Sequence, residues 1–430
     1  MPHVLPSQEQ TAMSLIAGTL NRVRAKVGRP PAAKPFSALS QHRSIKQHEM
    51  LGTMLGIRNP FFRSAEGPEG RMTLIDGKPC LNFAWCDYLS LSQHPELTAA
   101  AKAAIDRYGT CVSASRMVAG DTPLHRQLEQ ELAGFIGVDA ALVFVSGHAA
   151  NVSTIGTLMG KGDLIVHDEF VHNSAVVGMR LSGAEARSFR HNNLDALEAI
   201  LREERMNYSN VLVVIEGLYS TEGDIPDLAR VVEIKERYGA WLMVDDAHGC
   251  GVLGPTGRGI AEHCGVDARK VDIWMGTLSK AYAACGGYIA GNRELIEILR
   301  YAAPGFVFSV GLPPAQTAAA LAALRVLKRE PDRVERLHKN GALFLEEARA
   351  RGLDTGRSIG IGMLPIMVGA TTRAAKMVTR MYERGINTSL IIYPGVPMNA
   401  GRLRFFLRAD STAEEIRTAV QVAKEELQRC

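Results

Sequence analysis

The chain has 430 residues, of which 46% are hydrophobic and 22% are charged, and its formal net charge is +4. This is the composition of a globular protein long enough for two or more domains, and so small an excess of Lys and Arg argues against a dedicated nucleic-acid binder. Seven cysteines without C-x-x-C spacing argue against a disulfide framework and a structural metal site, and favour the cytoplasm. We find neither an apolar run long enough for a transmembrane segment nor a secretory signal.

The first predicted element is an amphipathic helix near the N-terminus. Apolar residues recur at helical spacing over residues 13–27, and basic residues cluster near the end of this pattern. The pattern fits an arm helix that docks on the rest of the protein, and also a helix that binds a membrane surface or a partner. A Pro-rich stretch at residues 28–35 ends the pattern and indicates a linker.

Short β-rich runs alternate with helical segments from about residue 140 onward. The apolar runs span residues 141–146, 163–168, 211–216, 240–246, 272–276 and 286–291. Near-continuous apolar runs joined by helices indicate a largely parallel sheet that is buried on both faces. The sequence therefore predicts an α/β fold whose ligand binds beyond the carboxyl ends of the strands.

A smaller α/β domain is predicted at the C-terminus. A long helix rich in Ala and Leu follows residues 312–314, and strand-like runs occupy residues 362–369 and 401–410. We therefore divide the chain into an N-terminal arm (1–50), an N-terminal segment (51–110), a large domain (111–315) and a small domain (316–430).

The stretch MVDDAHGCGVLGPTGRG, residues 243–259, joins a predicted strand to acids and glycines. It is not a dinucleotide fingerprint, because no G-x-G-x-x-G opens a helix and the acids precede the glycines. Lys280 follows the next predicted strand among hydroxyl-bearing and small residues, where a surface lysine is out of place and a Schiff-base lysine is well placed. Pyridoxal 5′-phosphate (PLP) needs such a lysine and an anionic partner for its ring nitrogen, and Asp245 can be that partner.

Other residues near these strand ends complete a PLP site. Backbone N–H groups of the SGHAAN stretch, including those of Gly147 and His148, can bind the phosphate at a helix start, and Thr277 can add a hydroxyl. We expect His172 to lie flat on one face of the ring. The remaining contacts, to the phenolic oxygen of the ring, are assigned to His248 and Ser220.

Four stretches in order closely resemble the α-oxoamine synthase family. They are DEFVHNSAVVGMRLSGAEARSFRHNN, EGLYSTEGD, VDDAHGCGVLGPTGRG and MGTLSKAYAACGGYIAG, and the resemblance runs from about residue 59 to the C-terminus. It implies a PLP-dependent transferase of fold type I, with a large, mainly parallel domain, a smaller C-terminal domain, and a homodimer whose active site lies at the subunit interface. It also implies that Lys280 forms the Schiff base and removes the α-proton, that Asp245 pairs with the ring nitrogen, and that His172 is the stacked histidine.

The implied reaction is a decarboxylative condensation of a small amino acid with an acyl thioester, which yields an α-amino ketone. By the same resemblance, Arg404 binds the amino-acid carboxylate, as a guanidinium fork suits it to do. The acyl donor is expected to be acyl-CoA, with an acyl carrier protein as the alternative.

Two departures from the family pattern leave the amino acid open. Cys86 stands where the family usually has an asparagine that helps to hold substrate, and residues 111–114 lie in a segment that is richer in glycine in several relatives. Residues 115–120 and 180–193 resemble the serine-using members. This resemblance favours serine as the first choice, then alanine, then glycine. Against it, a pocket that loses polar partners discriminates less in favour of a hydroxyl, so the preference for serine over alanine is expected to be small.

Two other functions remain compatible with these residues. Another fold-type I PLP enzyme, such as an aminotransferase or a desulfurase, would also need Asp245 and Lys280. A non-catalytic subunit of a heterodimeric synthase is the second alternative, and the presence of Lys280 argues against it.

Overall fold

The computed structural model describes residues 33–393 and 395–430. The predicted arm helix at residues 13–27 and most of the predicted linker lie outside the described residues. Contacts divide the chain into a first unit that ends at Asn59 and a second unit, Pro60–Cys430. Within the described residues, no helix combines the length and the apolar character that a membrane crossing requires.

The described part of the first unit is helical. A short 3₁₀-helix, Phe36–Ala38, precedes helix α1 (Ser40–Met54), which buries none of its residues. The apolar side chains of Ile45, Met50 and Met54 are exposed on α1.

The second unit alternates strands and helices. Its strands are β1 (Ala65–Glu66), β2 (Met72–Ile75), β3 (Lys78–Phe83), β4 (Ala140–Phe144), β5 (Leu164–Asp168), β6 (Glu185–Phe189), β7 (Val211–Glu216), β8 (Trp241–Asp245), β9 (Ile273–Thr277), β10 (Gly287–Gly291), β11 (Met363–Gly369), β12 (Ile386–Ile391) and β13 (Gly401–Phe406). Its α-helices are α2 (Pro95–Tyr108), α3 (Pro123–Ile136), α4 (Gly147–Leu158), α5 (Asn173–Ser182), α6 (Leu194–Glu204), α7 (Leu228–Arg237), α8 (Ile260–Cys264), α9 (Arg293–Ala302), α10 (Pro304–Val307), α11 (Pro314–Arg329), α12 (Asp332–Ala350), α13 (Thr371–Glu383) and α14 (Ala413–Arg429).

Seven strands form the large sheet in the order β4-β10-β9-β8-β7-β5-β6. The strands from β9 to β6 are parallel, and β10 is antiparallel to both of its neighbours. All six apolar runs between residues 140 and 291 form strands of this sheet, as predicted. β6 was not predicted, because it is an edge strand with largely exposed side chains and so has no apolar run.

Six strands form a second sheet in the order β1-β2-β3-β12-β13-β11. The predicted strands at residues 362–369 and 401–410 correspond to β11 and β13, whereas β1, β2, β3 and β12 were not predicted. β3 pairs in parallel with β12, so strands from before the large sheet join strands from after it. The four-domain division itself stays a prediction.

The core of the second unit lies around the central strands of the large sheet. Every residue of β7 is buried, and in β8 only Trp241 is exposed. Burial on both faces is what the near-continuous apolar runs predicted. This packing holds the carboxyl ends of β7, β8 and β9 at fixed positions. The polar residues that directly follow these strands are therefore also held in place.

Candidate active site

Three neighbouring parallel strands end in polar residues at one edge of the large sheet. Glu216, at the end of β7, is in register with Asp245 at the end of β8. Asp245 is in register with Met275, two residues before β9 ends at Thr277. The edge where parallel strands end is where α/β folds bind their ligands.

The Asp245 carboxylate is held by two hydrogen bonds. Its Oδ1 accepts from the backbone N–H of Ala247 at 3.1 Å, and its Oδ2 accepts from Nδ2 of Asn151 on α4 at 2.8 Å. Asp245 is only 6% exposed. A buried carboxylate oriented by two donors can pair with the protonated nitrogen of a pyridine ring.

His172 caps the N-terminus of α5. Its Nδ1 accepts from the backbone N–H of Ser174 at 3.3 Å and lies 2.6 Å from the Ser174 hydroxyl. Burial lowers the pKa of His172, and the nearby charge of Asp245 only partly opposes this. A neutral imidazole held at its Nδ1 can lie against an aromatic ring.

His248 follows Asp245 by three residues and is held by Tyr88. The Tyr88 hydroxyl lies 2.7 Å from Nδ1 of His248, and Tyr88 is fully buried. Burial, together with the charges of Lys280 and Arg404, holds the pKa of His248 well below its usual value. With Tyr88 as donor, the neutral ring carries its proton on Nε2, which can donate to a ligand oxygen.

Lys280 lies just beyond β9 in the same cleft. Burial lowers the pKa of its amine, while Cys86, Asp245 and Glu216 raise it. Burial also raises the pKa of Glu216 well above its usual value, and Asp245 adds to this effect. Desolvation therefore favours the neutral amine that a Schiff base requires.

The start of α4 lies against the end of β9. Ser146 caps this helix by accepting from the backbone N–H of Ala149 at 3.0 Å. A Cβ on Gly147 would lie 3.0 Å from Cε of Met275 and 3.4 Å from the Thr277 hydroxyl oxygen, so glycine permits this close approach. The start of α4 and the Thr277 hydroxyl thus lie close together, and this hydroxyl donates to the backbone oxygen of Gly286 at 3.1 Å. The first N–H groups of α4, those of Gly147 and His148, together with this hydroxyl could hold a phosphate.

Arg404 reaches the cleft from β13 of the second sheet. Its Nη1 donates to the backbone oxygen of Ser220 at 3.0 Å, and its Nη2 donates to Oγ of Ser389 at 3.2 Å. Its Nε is buried without a hydrogen-bond partner among the described residues. A guanidinium that remains charged with one donor unused is suited to a carboxylate ligand.

The Cys86 thiol lies close to both cations of the cleft. Burial raises the pKa of this thiol, and the charges of Lys280 and Arg404 partly oppose the rise. The thiol therefore lies near the amine of Lys280 and the guanidinium of Arg404, where it offers little hydrogen bonding.

These residues fit PLP. Asp245 supplies an oriented anion, Lys280 a desolvated amine, and α4 a set of N–H donors. The structure thus brings the residues predicted from the sequence together, at the ends of β7, β8 and β9 and beside Arg404 of β13.

The glycines near Asp246 serve a different purpose from phosphate binding. A Cβ on Gly217, Gly249 or Gly259 would overlap a carboxylate oxygen of Asp246. Asp246 is 3% exposed, its Oδ2 accepts from the backbone N–H of Ile260 at 3.1 Å, and burial raises its pKa to about 7. The glycines therefore enclose a buried carboxyl behind the cleft.

Sequence reasoning missed several residues that hold this cleft together. They are Asn151, Ser174, Tyr88 and Ser389, which contact Asp245, His172, His248 and Arg404, respectively. Asn151 and Ser174 lie within stretches that were singled out for other residues. The sequence gives little indication of their roles, because the hydrogen-bond partner of a buried amide or hydroxyl is known only from the three-dimensional structure.

The fold and the cleft define a PLP-dependent enzyme of fold type I. The model of the aminotransferase class I and II family matches residues 78–422. The chain belongs to this family and, within it, to the α-oxoamine synthases, which are PLP-dependent acyltransferases.

Individual relatives support the same assignment. The chain is 38% identical to the 8-amino-7-oxononanoate synthase of Thermoanaerobacter pseudethanolicus over 83% of this chain and 90% of the relative. It resembles the serine palmitoyltransferase structure from Sphingomonas wittichii with a TM-score of 0.88 and 29% identity, over 92% of this chain and 99% of the other. A serine palmitoyltransferase from S. paucimobilis, solved with bound PLP, has a TM-score of 0.88 and 28% identity over the same shares.

Proposed function

We propose that this protein condenses a small amino acid with an acyl thioester, with loss of CO2, and that alanine is its preferred amino acid. Bound PLP supplies the electron-withdrawing ring that stabilises negative charge at the α-carbon of the amino acid. The observation that carries the proposal is the shared cleft of Lys280 and Arg404, with Cys86 close to both. An amino acid presents its two ends to such a pair, the amine toward the cofactor and the carboxylate toward the guanidinium.

Each residue of the cleft has a role in this proposal. Lys280 anchors the cofactor and then takes the α-proton on its Nζ. Asp245 keeps the ring nitrogen protonated, His172 covers one ring face, and His248 and Ser220 contact the ring oxygen. Arg404 orients the carboxylate, while Gly147, His148 and Thr277 hold the phosphate. The active enzyme is proposed to be a homodimer.

The choice of alanine reverses the order expected from the sequence. The product in the name 8-amino-7-oxononanoate has its amine on the carbon next to a terminal methyl, and this two-carbon unit is what alanine leaves when it loses CO2. The other seven carbons then come from an acyl chain that ends in a carboxylate. The chain is 38% identical to an enzyme of this name and 29% identical to a serine palmitoyltransferase. In addition, the Cys86 thiol is a weak hydrogen-bonding group and would bind a serine hydroxyl poorly.

Serine remains the second candidate, because the structural similarity to serine palmitoyltransferase extends over 92% of the chain. The acyl donor is proposed to be acyl-CoA, with an acyl carrier protein as the alternative.

Spectral titration and product analysis test this proposal together. We expect L-alanine to change the cofactor absorbance of the holoenzyme at lower concentration than L-serine or glycine. With a dicarboxylic acyl-CoA, mass spectrometry should then show an α-amino ketone, with CO2 and free thiol released. A preference for serine of tenfold or more, about 1.4 kcal/mol, would overturn the choice of alanine. Turnover that needs a keto-acid acceptor and releases no CO2 would instead show an aminotransferase.

A further inference from the structure

A buried hydrogen-bond chain connects the two residues proposed to face the cofactor ring from different directions. Asn151, which is fully buried on α4, donates through Nδ2 to Oδ2 of Asp245 at 2.8 Å and to Oγ of Ser174 at 2.8 Å. Oγ of Ser174 lies 2.6 Å from Nδ1 of His172. Both N–H bonds of one amide are therefore used to connect Asp245 with the residue that holds His172.

The chemistry of the neighbours sets the direction of this chain. The reversed Asn151 amide would place its carbonyl oxygen 2.8 Å from the Asp245 carboxylate, with two acceptors in contact. Since Oγ of Ser174 accepts from Asn151, its own hydrogen is free to donate to Nδ1 of His172. That nitrogen also faces the backbone N–H of Ser174 at 3.3 Å, so it faces two donors and must carry a lone pair.

The packing of α5 on α4 holds the hydrogen-bonded residues of this buried chain at these distances from one another. Gly178 lies one turn after Ser174 on α5, and a Cβ there would lie 3.2 Å from the backbone oxygen of Asn151 and 3.0 Å from Cβ of Ile155. A larger residue would push the helices apart and lengthen the bond between Asn151 and Ser174.

We propose that Asn151 is a positioning residue, which links the Asp245 carboxylate to His172 through Ser174 and so holds the single proton of a neutral His172 on Nε2. The charged and titratable groups that face His172 are Asp245, Lys280, His148, Arg404 and His248. An added proton on Nδ1 would point at the N–H and O–H donors of Ser174. The chain thus keeps the imidazole uncharged beside a ring whose nitrogen carries the positive charge.

The hydrogen positions can be observed directly. Neutron diffraction of holoenzyme crystals in D2O should show a deuteron on Nε2 of His172 and none on Nδ1. It should also show the two Asn151 deuterons pointing at Asp245 and Ser174. A deuteron on Nδ1 of His172 would overturn the proposal.

Ring-nitrogen NMR of labelled histidine in the holoenzyme tests the energetic link. Ser174→Ala removes one oxygen and the donor to Nδ1, so the pKa of His172 should rise by about one unit, and Asn151→Leu should act in the same direction. Thr154→Val is the matched control, because Thr154 is fully buried on α4 and its hydroxyl has no partner among the described residues. If Ser174→Ala leaves the pKa unchanged, or if Thr154→Val moves it equally, Asn151 and Ser174 are merely structural.

The importance of this hydrogen-bond chain for catalysis rests on the proposed function. The diffraction and NMR measurements do not depend on that function. If the wild-type holoenzyme forms no α-amino ketone while diffraction shows the deuteron on Nε2, the proposed function fails and the positioning role stands. If condensation is observed with the deuteron on Nδ1 of His172, the proposed function stands and the positioning role fails.

Discussion

At the scale of single residues, burial is the main influence on the charged groups of the cleft. Lys280 and Arg404 both have lowered pKa values because they are removed from water, and the nearby acids only partly compensate. Burial affects the charge of the two side chains differently. A lysine amine loses its proton readily when desolvated, whereas a guanidinium keeps its charge. The cleft therefore holds an amine that loses its proton readily near a cation that keeps its charge.

Replacement of Lys280 by alanine should remove the covalent attachment of PLP. We expect Lys280→Ala to bind PLP without a covalent link and to lose turnover by several orders of magnitude, because the same amine is the proposed proton acceptor. Borohydride treatment followed by mass spectrometry of the intact chain measures the attachment. Lys270→Ala is a suitable control, since Lys270 is on the surface and pairs with Glu236. A covalent adduct that persists in Lys280→Ala would contradict the assignment.

The Cys86 side chain is expected to influence which amino acid is bound. Cys86→Asn places an amide beside Lys280 and Arg404, where it can bond to a serine hydroxyl. We predict that the affinity ratio of serine to alanine then rises by about tenfold. The ratio is measured by titrating the cofactor absorbance with each amino acid. Cys430→Asn, at a thiol that follows α14 and lies beside Arg380, is the control. An unchanged ratio in Cys86→Asn would show that this side chain does not decide specificity.

At the scale of the elements, two turns approach each other around the Asp246 carboxyl. One turn follows β7 and contains Gly217, and the other follows β8 and contains Gly249. The chain behind the active site is packed so closely that neither turn has room for a methyl group. Two glycines of the stretch at residues 243–259, Gly249 and Gly259, are thus explained by packing against a carboxyl.

Substitution at Gly249 should destabilise the protein without contact with any ligand. We expect Gly249→Ala to lower the free energy of unfolding by roughly 2–3 kcal/mol, because its Cβ overlaps Oδ1 of Asp246. Gly134→Ala on α3 is the matched control, since nothing lies within 4 Å of its added Cβ. The control should be neutral or slightly stabilising. Equal thermal unfolding midpoints for the two variants would refute the packing argument.

At the scale of the whole molecule, His191 joins three separate parts of the large sheet. Its Nδ1 lies 3.1 Å from Asp168 at the end of β5, and its Nε2 lies 3.0 Å from Asp224, beyond β7. His191 itself follows β6. Burial alone would lower its pKa, but the hydrogen bonds to the two carboxylates outweigh burial and raise the pKa to about 9.

The raised pKa of His191 predicts a stability that falls at alkaline pH. Because the folded value lies above the unfolded value of about 6.5, the contribution is complete below pH 6.5 and is lost as the pH rises to about 9 and beyond. After screening by solvent we expect about 1–2 kcal/mol. The difference in unfolding midpoint between the wild type and His191→Gln should therefore shrink from pH 6.5 to pH 9.5. A difference that stays constant over this range would mean that His191 is not charged in the folded protein.

The local sequence was sufficient to predict six strands of the large sheet and to place several candidate residues at its edge. Six apolar runs predicted six strands of the large sheet, because strands buried on both faces must be apolar throughout. Asp245, His248, Thr277 and Lys280 could be placed at its edge, because they directly follow such runs and parallel strands end together. The edge strand β6 and the strands β1, β2, β3 and β12 carry no such continuous apolar run, and they were missed.

The tertiary structure decided which residues meet across distant parts of the chain. The pairing of β3 with β12 joins strands from before and after the large sheet into one sheet, and β13 of that sheet carries Arg404 to the cleft. Asn151 meets Asp245 and Ser174 only because α4, α5 and β8 pack together, and Tyr88 meets His248 in the same way. The composition of a strand is set by its own burial and is visible in sequence. The partner of a buried polar group depends on how separate elements pack, and that is visible only in the fold.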